Sequence, residues 1–128
     1  MSEKLVVKKC MKCGALVKVI EDCKCGEDCG IKCCGEKMTE LVPNSVDASF
    51  EKHVPTYEVK DEKVFIKVNH VMEEDHYIKW VSIVFNNKEI TTYFKPGEVP
   101  ETHCCKYVPG STIYAYCNKH GLWKIDVE

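Results

Sequence analysis

Apolar residues in this chain fall in short runs with β-branched or alternating character, and no long stretch repeats them at the three-and-four spacing of an amphipathic helix. Lys4 to Lys9 and Leu16 to Ile20 read as two short strands on either side of the first cysteine pair. Val64-Phe65-Ile66-Lys67-Val68 is a third run, and Ile78 to Phe85 is apolar on both faces, as a central strand would be. Asn86-Asn87 follows, then Glu89 to Phe94. Two asparagines between such runs favour a tight hairpin, because asparagine tolerates positive φ. Lys95-Pro96-Gly97 and Val108-Pro109-Gly110 are further turns, and Thr112 to Tyr116 and Leu122 to Val127 complete the set. Short strands punctuated in this way predict an all-β chain whose larger part is an antiparallel sandwich.

A length of 128 residues suits one ordinary domain, or a small module ahead of a compact domain of roughly 90 residues. An apolar content of 45% is that of a globular protein. Eighteen basic and 20 acidic residues give a net charge of −2, without the basic excess of a nucleic-acid surface. The first ten residues, MSEKLVVKKC, lack the apolar core of a secretory signal, and no stretch approaches the roughly 18 apolar residues of a membrane helix. A cytoplasmic protein without membrane or nucleic-acid partners is the expectation. Thiols there stay mostly reduced, so clustered cysteines point to metal more than to disulfides.

Cysteine changes this picture most. There are ten, seven of them between Cys10 and Cys34, whereas all five histidines follow Phe50. The asymmetry predicts a thiolate-rich module over residues 1–40, a connector over 41–45 carrying a Pro43-Asn44 turn signal, and a second domain over 46–128.

In the first part, Cys10-Met11-Lys12-Cys13 is a CxxC turn followed by Gly14, and Cys33-Cys34 is a second pair followed by Gly35. Two pairs of thiolates make a tetrahedral S4 site that suits iron or zinc, and spacing alone does not separate a redox centre from a zinc knuckle. Neighbouring side chains on an extended strand point apart, so the vicinal pair implies a distorted local backbone. The spacer adds Cys23, Cys25 and Cys29. They read as exposed loop thiols, as exchangeable ligands, or as a redox disulfide such as Cys23–Cys29.

In the second part the histidines come in three motifs: Glu51-Lys52-His53, His70 to His76, and Cys117-Asn118-Lys119-His120-Gly121. The last is a CxxH turn able to bring a thiolate and an imidazole to one ion. Mixed imidazole and thiolate ligation fits zinc, copper or iron. Four histidines and one cysteine exceed what a catalytic zinc site uses, and suggest a square-pyramidal ion with one open face. His103 belongs to no motif, and the pair Cys104-Cys105 reads as loop thiols.

These motifs, in this order, resemble the desulfoferrodoxin family of two-centre superoxide reductases, over nearly the whole chain. The resemblance implies a desulforedoxin-like module, with Fe(Cys)4 (or zinc in its place) on Cys10, Cys13, Cys33 and Cys34. It also implies an immunoglobulin-like, neelaredoxin-like β-sandwich holding Fe(His)4(Cys). There His53, His70, His76 and His120 would be equatorial ligands and Cys117 the axial one, with Glu51 and Lys52 as the catalytic pair. The implied activity is superoxide reductase, an oxidoreductase reducing superoxide by one electron to hydrogen peroxide in superoxide detoxification. A rubredoxin-like donor would restore the electron, and a homodimer is implied as well. A module of about 40 residues has little core of its own, which also favours metal or a partner subunit. The spacer holding Cys23, Cys25 and Cys29 departs from the family pattern. The competing expectations are an electron-transfer or structural metalloprotein without a substrate, and a zinc-binding interaction module.

Overall fold

The computed structural model describes residues 5–24 and 30–128, apart from the side chains of Cys104 and Cys105. These residues form two compact units, 5–42 and 43–128. Strand is nearly the only regular structure, and every paired strand is antiparallel, in agreement with the all-β expectation. Among the described residues no helix is long and apolar enough to cross a membrane.

The first unit is built from strands of two or three residues. β1 (Val7–Lys9) lies between β2 (Leu16–Lys18) and β5 (Thr39–Glu40). β3 (Lys32–Cys33) and β4 (Glu36–Lys37) form a hairpin of their own. Its two-residue turn is Cys34-Gly35, with φ of 52° and 78°. Positive φ at both turn positions is the hairpin geometry that matches strand twist, and glycine adopts it without steric cost. This is the backbone distortion that the vicinal cysteines require.

The second unit is a sandwich. One sheet runs in the order β10 (Glu101–Lys106), β7 (Lys63–Lys67), β6 (Thr56–Lys60). The other runs β12 (Gly121–Asp126), β11 (Thr112–Cys117), β8 (Ile78–Phe85), β9 (Lys88–Tyr93). Alternation along β7 sends Val64 and Ile66 inward, where they meet Val81, Ile83, Ile113 and Ala115 of the facing sheet. β11 is buried along its whole length because strands flank it on both sides. Its inward row, Ile113, Ala115 and Cys117, ends on the cysteine.

Several boundaries differ from expectation for identifiable reasons. β8 runs as expected and Asn86-Asn87 makes its turn, with φ of 45° and 60°. β6 and β10 were not anticipated. β6 is an edge strand with mostly exposed residues, and β10 carries the vicinal Cys104-Cys105 that had read as a loop. Those cysteines lie on the strand backbone, where the register with β7 shifts between His103 and Cys105 in a β-bulge. His103 stacks on Phe65 of β7 (ring centroids 5.5 Å apart). A single helical turn, α1 (Phe50–His53), which no apolar periodicity announced, ends on His53, and the buried Pro55 follows it.

Candidate metal centres

Cys10, Cys13, Cys33 and Cys34 each offer a sulfur, and these four atoms lie within 4.8 Å of one another. The CxxC turn is closed by Gly14 N–H donating to the Cys10 carbonyl at 2.9 Å, while Cys13 N–H donates to the Cys10 sulfur at 3.4 Å. That backbone donor is the main reason the Cys10 thiol is lowered to about 6. Cys33 is pushed up to about 12, chiefly by its contact with the Cys13 sulfur, because thiolates crowded together resist ionising without a cation. Sulfurs bonded at about 2.3 Å to one tetrahedral ion stand about 3.8 Å apart. Cys13–Cys33 is 3.6 Å and Cys33–Cys34 is 3.9 Å. The donor set therefore fits a tetrahedral thiolate ion such as iron or zinc.

Cys23 is exposed and stands outside this group; its N–H donates to Asp22, which pairs with Lys8 at 2.9 Å. Cys25 and Cys29, and with them the suggested Cys23–Cys29 pairing, lie outside the described residues. Because the four grouped sulfurs already complete a tetrahedron, replacing Cys23, Cys25 and Cys29 together by serine is expected to leave the visible spectrum of the first centre unchanged. A shifted spectrum or lost metal in the triple variant would show ligand exchange instead.

The second cluster gathers at one end of the sandwich. His53 ends α1, His70 and His76 come from the segment between β7 and β8, Cys117 ends β11, and His120 lies in the turn between β11 and β12. Cys117 pairs with Gly121, so the turn is three residues, closed by a glycine at φ 80°. Beside it the β11–β8 register shifts between Tyr116 and Cys117, a bulge of the kind that re-aims side chains near functional sites.

Donor atoms of His53, His70, His76 and Cys117 lie within 4.8 Å of one another. His120 joins them through Nδ1, 3.0 Å from His53 Nε2 and 3.9 Å from the Cys117 sulfur. Which nitrogen faces inward is set by what holds the other. His53 Nδ1 donates to the Ser49 carbonyl at 2.7 Å and His70 Nδ1 to the Val71 carbonyl at 2.5 Å, which leaves Nε2 of both as lone pairs. His70 Nε2 lies 3.3 Å from the Cys117 sulfur. Burial lowers His53, His70 and His76 below the usual histidine range, and mutual repulsion adds to the effect. Neutral imidazoles are the form that binds metal.

His76 Nε2 is buried with no hydrogen-bond partner among the described residues. Such a group costs about 1–3 kcal/mol unless something satisfies it. Imidazole nitrogens bonded at about 2.1 Å and at right angles to one ion stand about 3.0 Å apart, the spacing of His53 and His120. On these grounds the second cluster also fits a metal ion. The Cys117 sulfur, fully buried, accepts the N–H of His120 at 3.4 Å.

Glu51 and Lys52 are exposed on α1, directly before His53. Lys119 is exposed and 3.9 Å from Asp75, a surface pair. Sequence reasoning missed the supports: Ser49, Asn118 and Trp123. Trp123 stacks on His53 (4.9 Å, 25°) and its Nε1 donates to the His120 carbonyl at 3.0 Å.

Fold and donor clusters together define an all-β protein with two sites compatible with iron centres, sharing the superoxide reductase fold. The sequence profile of the family described as desulfoferrodoxin matches residues 45–126. A desulfoferrodoxin of Syntrophotalea carbinolica is 41% identical over 127 residues, covering 96% of this chain and 97% of its own. A desulfoferrodoxin of Desulfarculus baarsii is 39% identical over 129 residues, covering 98% and 99%. The crystal structure of the superoxide reductase from Treponema pallidum matches with a TM-score of 0.71 and 25% identity, over 97% of this chain and 100% of that one. The chain belongs to the desulfoferrodoxin family.

Proposed function

We propose that this protein is a superoxide reductase, active at an iron held by His53, His70, His76, His120 and Cys117 and re-reduced by a small rubredoxin-like electron-transfer protein. The observation that carries the reading is the convergence of four imidazoles on one buried cysteine sulfur, with a buried His76 nitrogen that has no hydrogen-bond partner among the described residues. Iron bound there supplies the electron that, with two protons, takes superoxide to hydrogen peroxide. The chain's own residues do the rest. Ser49 and Val71 carbonyls hold the His53 and His70 rings so that their Nε2 lone pairs point inward. His120 N–H stabilises negative charge on the Cys117 sulfur.

Lys52, exposed beside His53, attracts the superoxide anion, while Glu51, acceptor-only when ionised, is matched to a cation. Cys10, Cys13, Cys33 and Cys34 would hold the iron of the first centre. In this reading residues 1–40 are a desulforedoxin-like module, 41–45 a connector and 46–128 the catalytic domain of a cytoplasmic homodimer.

Metal analysis and pulse radiolysis of anaerobically purified protein test this. Iron at both sites is expected, with one hydrogen peroxide formed per superoxide consumed and no dioxygen. Zinc at both sites, or one dioxygen and one hydrogen peroxide for every two superoxide consumed, would overturn it. Lys52→Ala is expected to slow superoxide capture by about threefold to tenfold at low salt and to flatten its ionic-strength dependence, because steering by an exposed charge is screened. An unchanged rate and salt slope would remove Lys52 from the mechanism.

A further inference from the structure

We propose that Asn118 is the positioning residue for His76: its side-chain amide grips the backbone on both sides of that histidine and so sets where the buried Nε2 stands. The inference rests on the reading of His76 as a ligand.

The imidazoles are not held alike. His53 and His70 are anchored by their rings, each through Nδ1 on a carbonyl, and His53 also stacks on Trp123. His120 sits inside the short turn, its N–H on the Cys117 sulfur and its carbonyl on Trp123. The His76 ring has no carbonyl anchor among the described residues, and its Nε2 is without a partner. Edge-to-face packing on His70 (4.6 Å) and His120 (5.1 Å) is the ring's own contact, and the hydrogen bonds that place it are all made by the backbone around it.

Two sets of bonds supply that. Glu73 and His76 exchange backbone hydrogen bonds at 3.0 and 3.2 Å and close the turn. Asn118 then ties the turn down. Its Oδ1 accepts from Tyr77 N–H at 2.9 Å, its Nδ2 donates to the Asp75 carbonyl at 2.9 Å, and its own N–H donates to the Tyr77 carbonyl at 3.2 Å. Asp75 and Tyr77 are the two chain neighbours of His76. The orientation of the amide is fixed by chemistry, since the flipped form would set donor against donor and acceptor against acceptor.

Asn118 lies between Cys117 and His120 in the turn that carries both. One amide therefore links the segment bearing His76 to the turn bearing two other donors. No other side chain repeats this: aspartate keeps the acceptor and loses the donor, alanine loses both, and glutamine reaches one carbon further.

The test is loss of the second centre's ferric thiolate band when iron-loaded protein is challenged with excess chelator. Asn118→Ala is expected to speed the loss by about tenfold to a hundredfold, the usual effect of removing an outer support of a ligand. Asn118→Asp should fall between it and the starting protein. In the His76→Ala background Asn118→Ala should add less than about twofold, because the residue acts through His76. In metal-free protein the Tyr77 amide should exchange faster in Asn118→Ala and stay protected in Asn118→Asp. Unchanged release in both variants, or effects of Asn118→Ala and His76→Ala that multiply, would overturn the proposal. If Asn118→Ala does not fold, Asn118→Asp completes the same cycle. If His76→Ala releases iron no faster than the starting protein, His76 is not a ligand, and both that reading and this inference fall.

Discussion

Stripped of metal, residues 5–42 are expected to lose their fold while residues 43–128 keep theirs. The first unit buries few side chains; among its described residues only Leu5, Val7, Cys10 and Met38 are buried. Its strands are two or three residues long. Ordering a chain costs about 1–2 kcal/mol per residue in backbone entropy alone, and four buried side chains fall far short of offsetting that. An ion on the four sulfurs adds the largest single contribution to this unit: structural zinc sites contribute on the order of 10–16 kcal/mol at neutral pH. The sandwich, by contrast, has a continuous two-sheet core from Val64 to Val127. Amide spectra recorded before and after chelation separate the two units residue by residue. Collapse of dispersion for β1 to β5, with the sandwich strands unaffected, is the expected result, and Cys13→Ser should move the protein the same way. Native-like protection of Val7 to Lys9 in metal-free protein would show that the small core suffices.

The same contrast explains what could be read from the sequence. β8 was legible because burial on both faces leaves a continuous apolar run, and its hairpin because two asparagines can share positive φ. β6 was not, since an edge strand with burial on few of its residues has no pattern to show. β10 was hidden by Cys104-Cys105, whose bulge breaks the alternation that marks a strand. α1 is a single turn, shorter than any helical period can register.

The candidate donors were nameable because CxxC, the vicinal pair and CxxH are local in sequence. Which nitrogen of His53 and of His70 faces inward was not, because the Ser49 and Val71 carbonyls that decide it carry no side-chain signal. Asn118 and Trp123 lie inside or beside a motif, yet their roles depend on partners as far away as Asp75 and His53.

Trp123→Ala is expected to destabilise residues 43–128 by about 3–5 kcal/mol, the cost of emptying a large core site, and to loosen two donors together. Trp123 is fully buried and pairs with Ala115 across β11 and β12, so its ring lies on the inward face of the sheet. His53 stacks on that ring, and the ring of Phe50, from the same helical turn, meets it at 5.3 Å edge to face. The indole N–H satisfies the His120 carbonyl at 3.0 Å. Removing the ring thus opens a cavity under His53 and leaves a carbonyl beside His120 without its donor. Trp123→Phe separates the two effects. It keeps an aromatic face for His53 but not the N–H, so it should cost less, with about 1–3 kcal/mol coming from the unpaired carbonyl. In thermal unfolding of the metal-free protein, Trp123→Ala should lower the midpoint of the sandwich by more than about 10 °C, and Trp123→Phe by less. In the iron-loaded protein both should speed chelation of the second centre and neither the first. Equal midpoints for the two variants would mean that the ring's bulk contributes little. Chelation unchanged in both would mean that the His53 and His120 positions do not depend on Trp123.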